Sequence, residues 1–438
     1  METLNTSVEN AKPDAEPCPD CGADMPVDPR FVTWCASCDW NVDPGGREPR
    51  YGRIEELRRR SARLHAEQLF AEVLRDPAAR PRRDVYAVLA FTTALAVHGI
   101  TLGLAVGGLL LIVLGWSTGV QPALGVVLLL AALTLRPRLG ALDKNVPALQ
   151  RVDAPQLFAL IDEVAAATGT TGVHVVEVDA DVNASVRTHG LRQRRVLRLG
   201  LGLWEILTPG QRVALLGHEL AHYANGDSRH GLVVGNALRS LDGWRYLLAP
   251  SGKRGPAGLV DIVLFPPRTA VHGMLMLLDH LTLRATQRAE YLADRTAARV
   301  ASSAAVVELL DLLLVEGSVR TELHRRAVAA NTRGRPGARR GETVSEHTLW
   351  EDLAAHIARI PEQEYERLRR VATLHGHSVD ATHPPTRLRR RQALEGERFE
   401  GIVPVDEGVW AAVAGELADV RAATARRIIR DQVDRPAH

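Results

Sequence analysis

His218 and His222 stand four residues apart, and Glu219 directly follows the first of them. On a helix this spacing sends both imidazoles from one face, where they can share a zinc ion. Glu219 then reaches a water in the metal's open position and takes its proton, and the hydroxide attacks a polarised peptide carbonyl. A third ligand must come from elsewhere. A His-x-x-Gly-x-x-His extension would need Gly at 225 and His at 228, where the chain has Asn225 and Ser228, and His230 is out of register. Glu290 and Asp294, in Glu290-Tyr-Leu-Ala-Asp294, share a helical face, so one can bind metal while the other holds a ligand histidine. His272 and His280 are the alternative ligands. A solvated charged face is the bland reading of Glu290 and Asp294.

The second constellation is Cys18-Pro-Asp-Cys21 and Cys35-Ala-Ser-Cys38, two Cys-x-x-Cys knuckles thirteen residues apart that hold every cysteine of the chain. Four thiolates suit tetrahedral zinc, and each knuckle presents two sulfurs on one tight turn. Gly22 follows the first pair, where the backbone must turn sharply. A pair of redox motifs would belong in a βαβ pattern, which neither has. The metal supplies folding energy to a segment too small for its own core. Residues 1–48 therefore read as a polar tail and a four-cysteine zinc ribbon, with Phe31, Trp34 and Trp40 as its miniature core. The spacing leaves open whether the ribbon also binds a protein partner.

These sites need positioning elements. Thr208-Pro-Gly-Gln211 caps the helix that carries the two histidines and ends near Asn225-Gly226; Glu290 and Asp294 lie on a helical run from Thr286 to Val300. Asp153-Ala-Pro-Gln156 starts another helix with a capping-box glutamine. Strands are expected at Val173–Val178, at Asp181–Thr188 (partly polar, hence near an edge) and at Arg195–Leu199. Leu232, Leu238, Leu241, Trp244 and Leu248 suggest an amphipathic helix, and Leu259–Phe265 is too short to cross a bilayer. Asn331–Thr343 reads as a loop, and Glu407–Val433 as one closing amphipathic helix.

Upstream, no Asp, Glu, Lys or Arg occurs from Val85 to Leu135. A crossing takes about 20 apolar residues, so the stretch reads as a transmembrane hairpin, Val85–Leu114 and Val120–Leu135, within residues 85–138. Arg75, Arg80, Arg82 and Arg83 precede it and Arg136 and Arg138 follow it, which places both flanks in the cytoplasm. Gly103, Gly107 and Gly108 suit close helix contact, and His98 can face the partner helix. Residues 49–84 read as a charged amphipathic helix, with Leu57, Leu64, Leu69, Phe70, Val73 and Leu74 at near-helical spacing.

With Asn183-Ala184, Asn225-Gly226-Asp227, Glu290-Tyr-Leu-Ala-Asp294-Arg295 and Thr382-His383-Pro384-Pro385 added to His218-Glu219-Leu-Ala-His222, the chain from about Asp153 to Arg391 resembles the membrane metallopeptidase family of the HtpX heat-shock proteases and CAAX prenyl proteases. The resemblance implies a mainly α, zincin-like fold with a small mixed β-sheet and a glutamate as third ligand. His218, His222 and Glu290 would hold a catalytic zinc, with Glu219 as general base and Asp294 behind a ligand histidine. Asn183 and Ala184 would pair with substrate backbone along an open strand edge. His383, with Arg389 six residues on, would help stabilise the oxyanion; a turn histidine before two prolines is the alternative. HtpX-type members carry two more membrane helices between the metal motifs. Here Arg239, Asp242, Arg245, Asp261, Arg268 and Asp279 interrupt that region, and the ribbon is an addition.

Composition narrows the rest. With 54 basic and 52 acidic side chains in 438 residues the net charge is +2, which argues against a nucleic-acid binder, and the polar first seventeen residues against a signal peptide. Two zinc ions, one catalytic and one structural, polypeptide substrates and a lipid bilayer are expected. The expected arrangement is a multi-pass cell-membrane protein with a peptidase domain at 139–400 and a C-terminal helix at 401–438, ribbon and catalytic domain cytoplasmic, serving protein quality control. The rival is a catalytically silent membrane adaptor that uses its ribbon for partner binding.

Overall fold

Thr208 and Gln211 form the capping box that the sequence predicts: Gln211 N donates to Thr208 Oγ1 at 3.4 Å, and Thr208 N to Gln211 Oε1 at 2.9 Å. The helix they open, Pro209–Ala224, packs against a second, Phe265–Val300, and this pair organises the domain. Gly217 allows the approach, since a Cβ there would stand 3.2 Å from the Cα of Ala297. The chain is described from a computed structural model, for residues 15–46, 64, 66–76, 85–115, 119–136, 142–190, 192–224, 230–250, 256–332, 348–375, 384–404 and 406–431.

The long helix runs 36 residues rather than starting near Thr286. No proline follows Pro267 to break it, so it is about 54 Å long at 1.5 Å per residue and joins two environments. Its second half lines the metal motif. Its first half buries Val271, Leu278 and Leu281 against Ala90, Ala94 and Val97 upstream, and against Ala237, Leu241 and Trp244 of helix His230–Leu247. The charges that interrupt this region pair locally: Arg245 with Asp242 at 2.7 Å and Arg268 with Asp261 at 3.4 Å.

Over the metal-motif helix lies a four-stranded mixed sheet in the order Ala148–Leu149, Val175–Asp179, Arg194–Gly200, Ala184–His189. The middle pair is parallel and the outer pairings antiparallel, so Ala184–His189 is an edge, as its polarity suggests. Val176, Val178, Leu197 and Leu199 bury inward, meeting Leu157 and Ile161 of helix Pro155–Thr168 and Leu216 and Leu220 of the metal-motif helix. The start of Pro155–Thr168 differs from expectation. Asp153 accepts from Gln150 N, and the orphan N–H groups of Gln156 and Leu157 donate to Glu416 at 2.8 and 2.9 Å.

Glu416 ends the first of two C-terminal helices, Glu407–Glu416 and Ala418–Asp431, where one was expected. The break at Leu417 lets Trp410, Val413, Leu417 and Val420 all reach the core shared with the sheet.

Helix Val85–Leu114 is 30 residues long, its most apolar 18-residue stretch has mean hydropathy 2.3 and is largely unburied, and by length and composition it could cross a membrane. Val120–Leu135 is shorter, 16 residues, and packs back along it. Gly108 and Gly125 make the closest approach: a Cβ on either would meet the other's carbonyl oxygen, at 2.8 and 2.6 Å. Gly103 and Gly107 face open space. His98 turns away from its hairpin partner, with Nε2 3.1 Å from Val233 O. Of residues 49–84, Ala66, Leu69, Phe70 and Val73 pack on Tyr291 and Leu388, behind the metal motif; 47–63 and 77–84 lie outside the described residues, as does 333–347 of the expected loop.

Candidate active site

The two helices bring three donor groups to one point. His218 Nε2 and His222 Nε2 are 3.3 Å apart, Glu290 Oε2 lies 3.5 Å from the first and Glu290 Oε1 3.6 Å from the second. Zinc bound tetrahedrally at 2.0–2.1 Å would space its ligand atoms by about 3.3–3.4 Å, so the donors already stand at the corners of such a site. His272 and His280 join no metal-ligand group among the described residues. Glu219 is buried one residue from the first ligand.

The proton on His218 is fixed from behind. Asp294 Oδ1 lies 2.9 Å from His218 Nδ1, and Arg389 grips Asp294 with both prongs, Nε to Oδ2 and Nη2 to Oδ1, each at 2.7 Å. The Nδ1–H therefore donates to Asp294, and the Nε2 lone pair points at His222 and Glu290. A second ring nitrogen and a carboxylate converging on that lone pair repel unless a cation sits among them, which is the donor chemistry of a zinc site. Without metal a proton fills the role. Burial pushes His218 down, but its bonds to Asp294 and Glu290 more than offset this and raise it to about 10. His222, half-buried and beside that charge, is pushed down to about 4 by desolvation and by the His218 charge. Burial would raise Asp294, yet the charge and hydrogen bonds of Arg389 hold it below the usual carboxylate range.

Arg389 was expected beside His383 at the oxyanion. Its fork is instead on Asp294, behind His218, with Nη1 3.6 Å from Glu290 Oε2. His383 itself lies outside the described residues, as does the Asn225-Gly226-Asp227 element.

The sheet edge runs beside this site, and its two expected residues differ. Asn183 turns its carbonyl inward, accepting from Gly200 N at 2.9 Å, while its side-chain Oδ1 accepts from Ala184 N at 2.9 Å. Antiparallel alternation then aims the backbone of Ala184, and of Val186 two residues on, away from the sheet. Val186 was not singled out from sequence; alternation from Asn183 would have found it. Tyr223 is another residue sequence reasoning missed. Its hydroxyl reaches Arg187 O at 2.6 Å and Val196 O at 3.2 Å, bracing the edge strand to the residue after His222.

The ribbon also assembles. Its strands Ala15–Pro17 and Asp24–Pro26 pair antiparallel, and Gly22 adopts φ of 72° at the turn between them. The four sulfurs lie within 4.8 Å of one another, Cys18 to Cys38 at 3.7 Å and Cys21 to Cys35 at 3.5 Å. A tetrahedral edge at 2.3 Å Zn–S bonds is about 3.8 Å. Burial pushes the Cys35 thiol up, but backbone N–H groups of Cys38 and Ser37 pull it down to about 6. At Cys38 the backbone N–H of Trp40 pulls down, yet burial and the neighbouring sulfurs push the thiol up to about 12. Trp40 packs in the ribbon's own core, whereas Phe31 packs on the peptidase core and Trp34 lies under the guanidinium of Arg370, 4.9 Å from CZ to the ring centre. The three aromatics thus split between core and contact surface.

Comparison with known proteins agrees with this chemistry. The family model described as peptidase family M48 matches residues 152–398, more than half of the chain. A curated relative, a protease HtpX homolog of Syntrophobacter fumaroxidans, is 26% identical over 164 residues, covering 34% of this chain and 55% of the relative. The chain thus spans about half the length of the curated relative it matches. No solved structure matches it.

Proposed function

This chain belongs to peptidase family M48, and from that premise we propose that it is a membrane-anchored zinc endopeptidase acting on misfolded polypeptides. The observation that carries the reading is the convergence of His218, His222 and Glu290 at tetrahedral spacing with Glu219 buried beside them. His218, His222 and Glu290 would hold the zinc, which would supply Lewis-acid chemistry and a more acidic bound water. Glu219 accepts the proton of the attacking water and passes it to the leaving amine. An extended substrate adds to the edge strand through the outward backbone of Ala184 and Val186, with the Asn183 amide releasing Ala184 N–H as it docks. His383 stabilises the oxyanion, and Arg389 acts through Asp294 by holding His218. The second metal is the ribbon's structural zinc, on Cys18, Cys21, Cys35 and Cys38. The helices Val85–Leu114 and Val120–Leu135 anchor the chain as a hairpin, and the arginines on both flanks keep ribbon and peptidase domain cytoplasmic.

The test is degradation of an unfolded model protein by the full-length chain in detergent, beside Glu219→Gln, with zinc counted in both. Cleavage is expected to fall by about 10²- to 10⁴-fold at equal zinc. Equal cleavage by the two proteins would remove Glu219 as the base. Two zincs with cleavage by neither would favour the silent adaptor.

A further inference from the structure

The ribbon is docked on helix Glu362–His375, through consecutive turns of one face. Arg370 Nη1 donates to Ala36 O and to Asp39 Oδ1, both at 2.6 Å, while its guanidinium covers Trp34. Arg367 Nη1 donates to Val42 O at 2.8 Å. Every one of these acceptors belongs to the second knuckle or to the turn just after it. The first of them, Ala36, sits between Cys35 and Cys38, so a metal held by that knuckle would fix the places of the acceptors.

From that helix the contacts continue inward. Arg369, next to Arg370, donates from Nη1 to Asp311 Oδ2 at 3.1 Å; Arg390 Nε takes the other oxygen of Asp311 at 2.7 Å. Asp311 therefore ties helix Glu362–His375 to helix Thr386–Glu395. The neighbour of Arg390 is Arg389, whose fork is on Asp294, which in turn orients His218. Two arginine pairs, 369–370 and 389–390, thus lead from one cluster to the other: Arg370 faces the second knuckle, Arg369 and Arg390 share Asp311, and Arg389 faces Asp294.

We propose that the two zinc sites are coupled: the loaded ribbon clamps helix Glu362–His375 and, through Arg369, Asp311 and Arg390, sets the hold of Arg389 on Asp294 and so the affinity of the catalytic site for its metal. The ribbon then reports zinc supply to the protease rather than recruiting substrate. Arg370, Arg369 and Asp311 are positioning residues, since none touches the reacting atoms. The coupling rests on the reading of His218, His222 and Glu290 as metal ligands.

The experiment uses the full-length chain in detergent and measures zinc affinity of the catalytic site by chelator competition while ribbon zinc is counted separately. Arg370→Ala should keep ribbon zinc and weaken the catalytic zinc by about 2- to 30-fold, the range carried by coupling networks of this kind. Asp311→Asn should do the same. Cys35→Ser, which unloads the ribbon, should weaken it similarly, and adding Arg370→Ala to Cys35→Ser should change nothing more, because the clamp is already open. If the parent binds two zincs and Arg370→Ala and Asp311→Asn both leave the catalytic affinity unchanged, the coupling is refuted and the peptidase reading stands. A parent that binds zinc only at the cysteines refutes both.

Discussion

The two candidate metal sites of this chain would solve the same coordination problem in opposite ways. The ribbon draws four ligands from two turns within 21 residues, and two of its cysteines, Cys21 and Cys38, are exposed. The active site draws three ligands from two separate helices, buries His218 and Glu290 while His222 stays half-buried, and backs His218 with a second layer, Asp294 and Arg389, that is also buried. Four thiolates close the coordination sphere and make the metal a fold element; three ligands leave one position for water. A closed site needs only local geometry. An open site must be held from outside the sphere, because the missing ligand cannot help to hold it.

That difference predicts unequal responses to damage. Asp294→Asn leaves all three ligands in place, yet should cost about 10- to 100-fold in catalytic-zinc affinity. It also leaves the buried Arg389 with only the more distant charge of Glu290, 3.6 Å away, for up to about 3–5 kcal/mol of stability. Cys35→Ser should instead empty the ribbon while the peptidase core, with its own sheet and helices, still unfolds as a cooperative unit. Zinc counting with thermal melts of both proteins decides the matter. An Asp294→Asn enzyme that keeps parental zinc affinity and melting temperature would show that the active site, like the ribbon, is held by its ligands alone.

Legibility in the sequence follows the same line. Cys18, Cys21, Cys35 and Cys38 declare the ribbon because every partner is local. His218, Glu219 and His222 declare one helix face, and the Thr208–Gln211 cap fixes where that helix begins. Glu290 and Asp294 were legible as a pair, and their division of labour emerges only when a second helix arrives: Asp294 meets Nδ1 of His218, Glu290 meets Nε2. Arg389 was found by resemblance as the companion of His383, and its grip on Asp294 was not legible, since nothing in Thr386–Glu395 tells which face meets Asp294. Asp153 looked like a helix cap, but Glu416 outcompeted it from the far end of the chain. Interactions across hundreds of residues leave no periodicity to read.

The sites should also part company with pH. In the metal-free enzyme His218 is charged between Asp294 and Glu290, with a pKa of about 10 against about 6.5 in an unfolded chain. Its stabilisation is therefore complete below about pH 6.5 and is lost as pH rises toward 10. Chelator-treated protein should lose melting temperature across that window, whereas zinc-loaded protein should not, because the metal replaces the proton. Parallel melts at pH 6, 8 and 10 measure it. A metal-free protein that gains stability over this range would mean that His218 is not the charged group.

The smallest expected effect concerns how the open site meets substrate. Tyr223 follows the ligand His222 and turns its hydroxyl to Arg187 O and Val196 O, on the edge strand and its neighbour. With one proton for two acceptors, the bond is shared, and removing it should cost about 1 kcal/mol. Tyr223→Phe keeps the ring and its packing under the Arg195 guanidinium, 4.7 Å away, so zinc affinity and the ribbon should be untouched. What should soften is the register of Ala184 and Val186 against Leu199 and Leu197, the edge proposed to receive substrate. The expected signature is a KM raised about five-fold with kcat nearly unchanged, equivalent to the lost bond at 1.4 kcal/mol per decade. A fall in kcat with KM constant would place Tyr223 at the reacting carbonyl and not behind the strand, and the edge would then need no brace of its own.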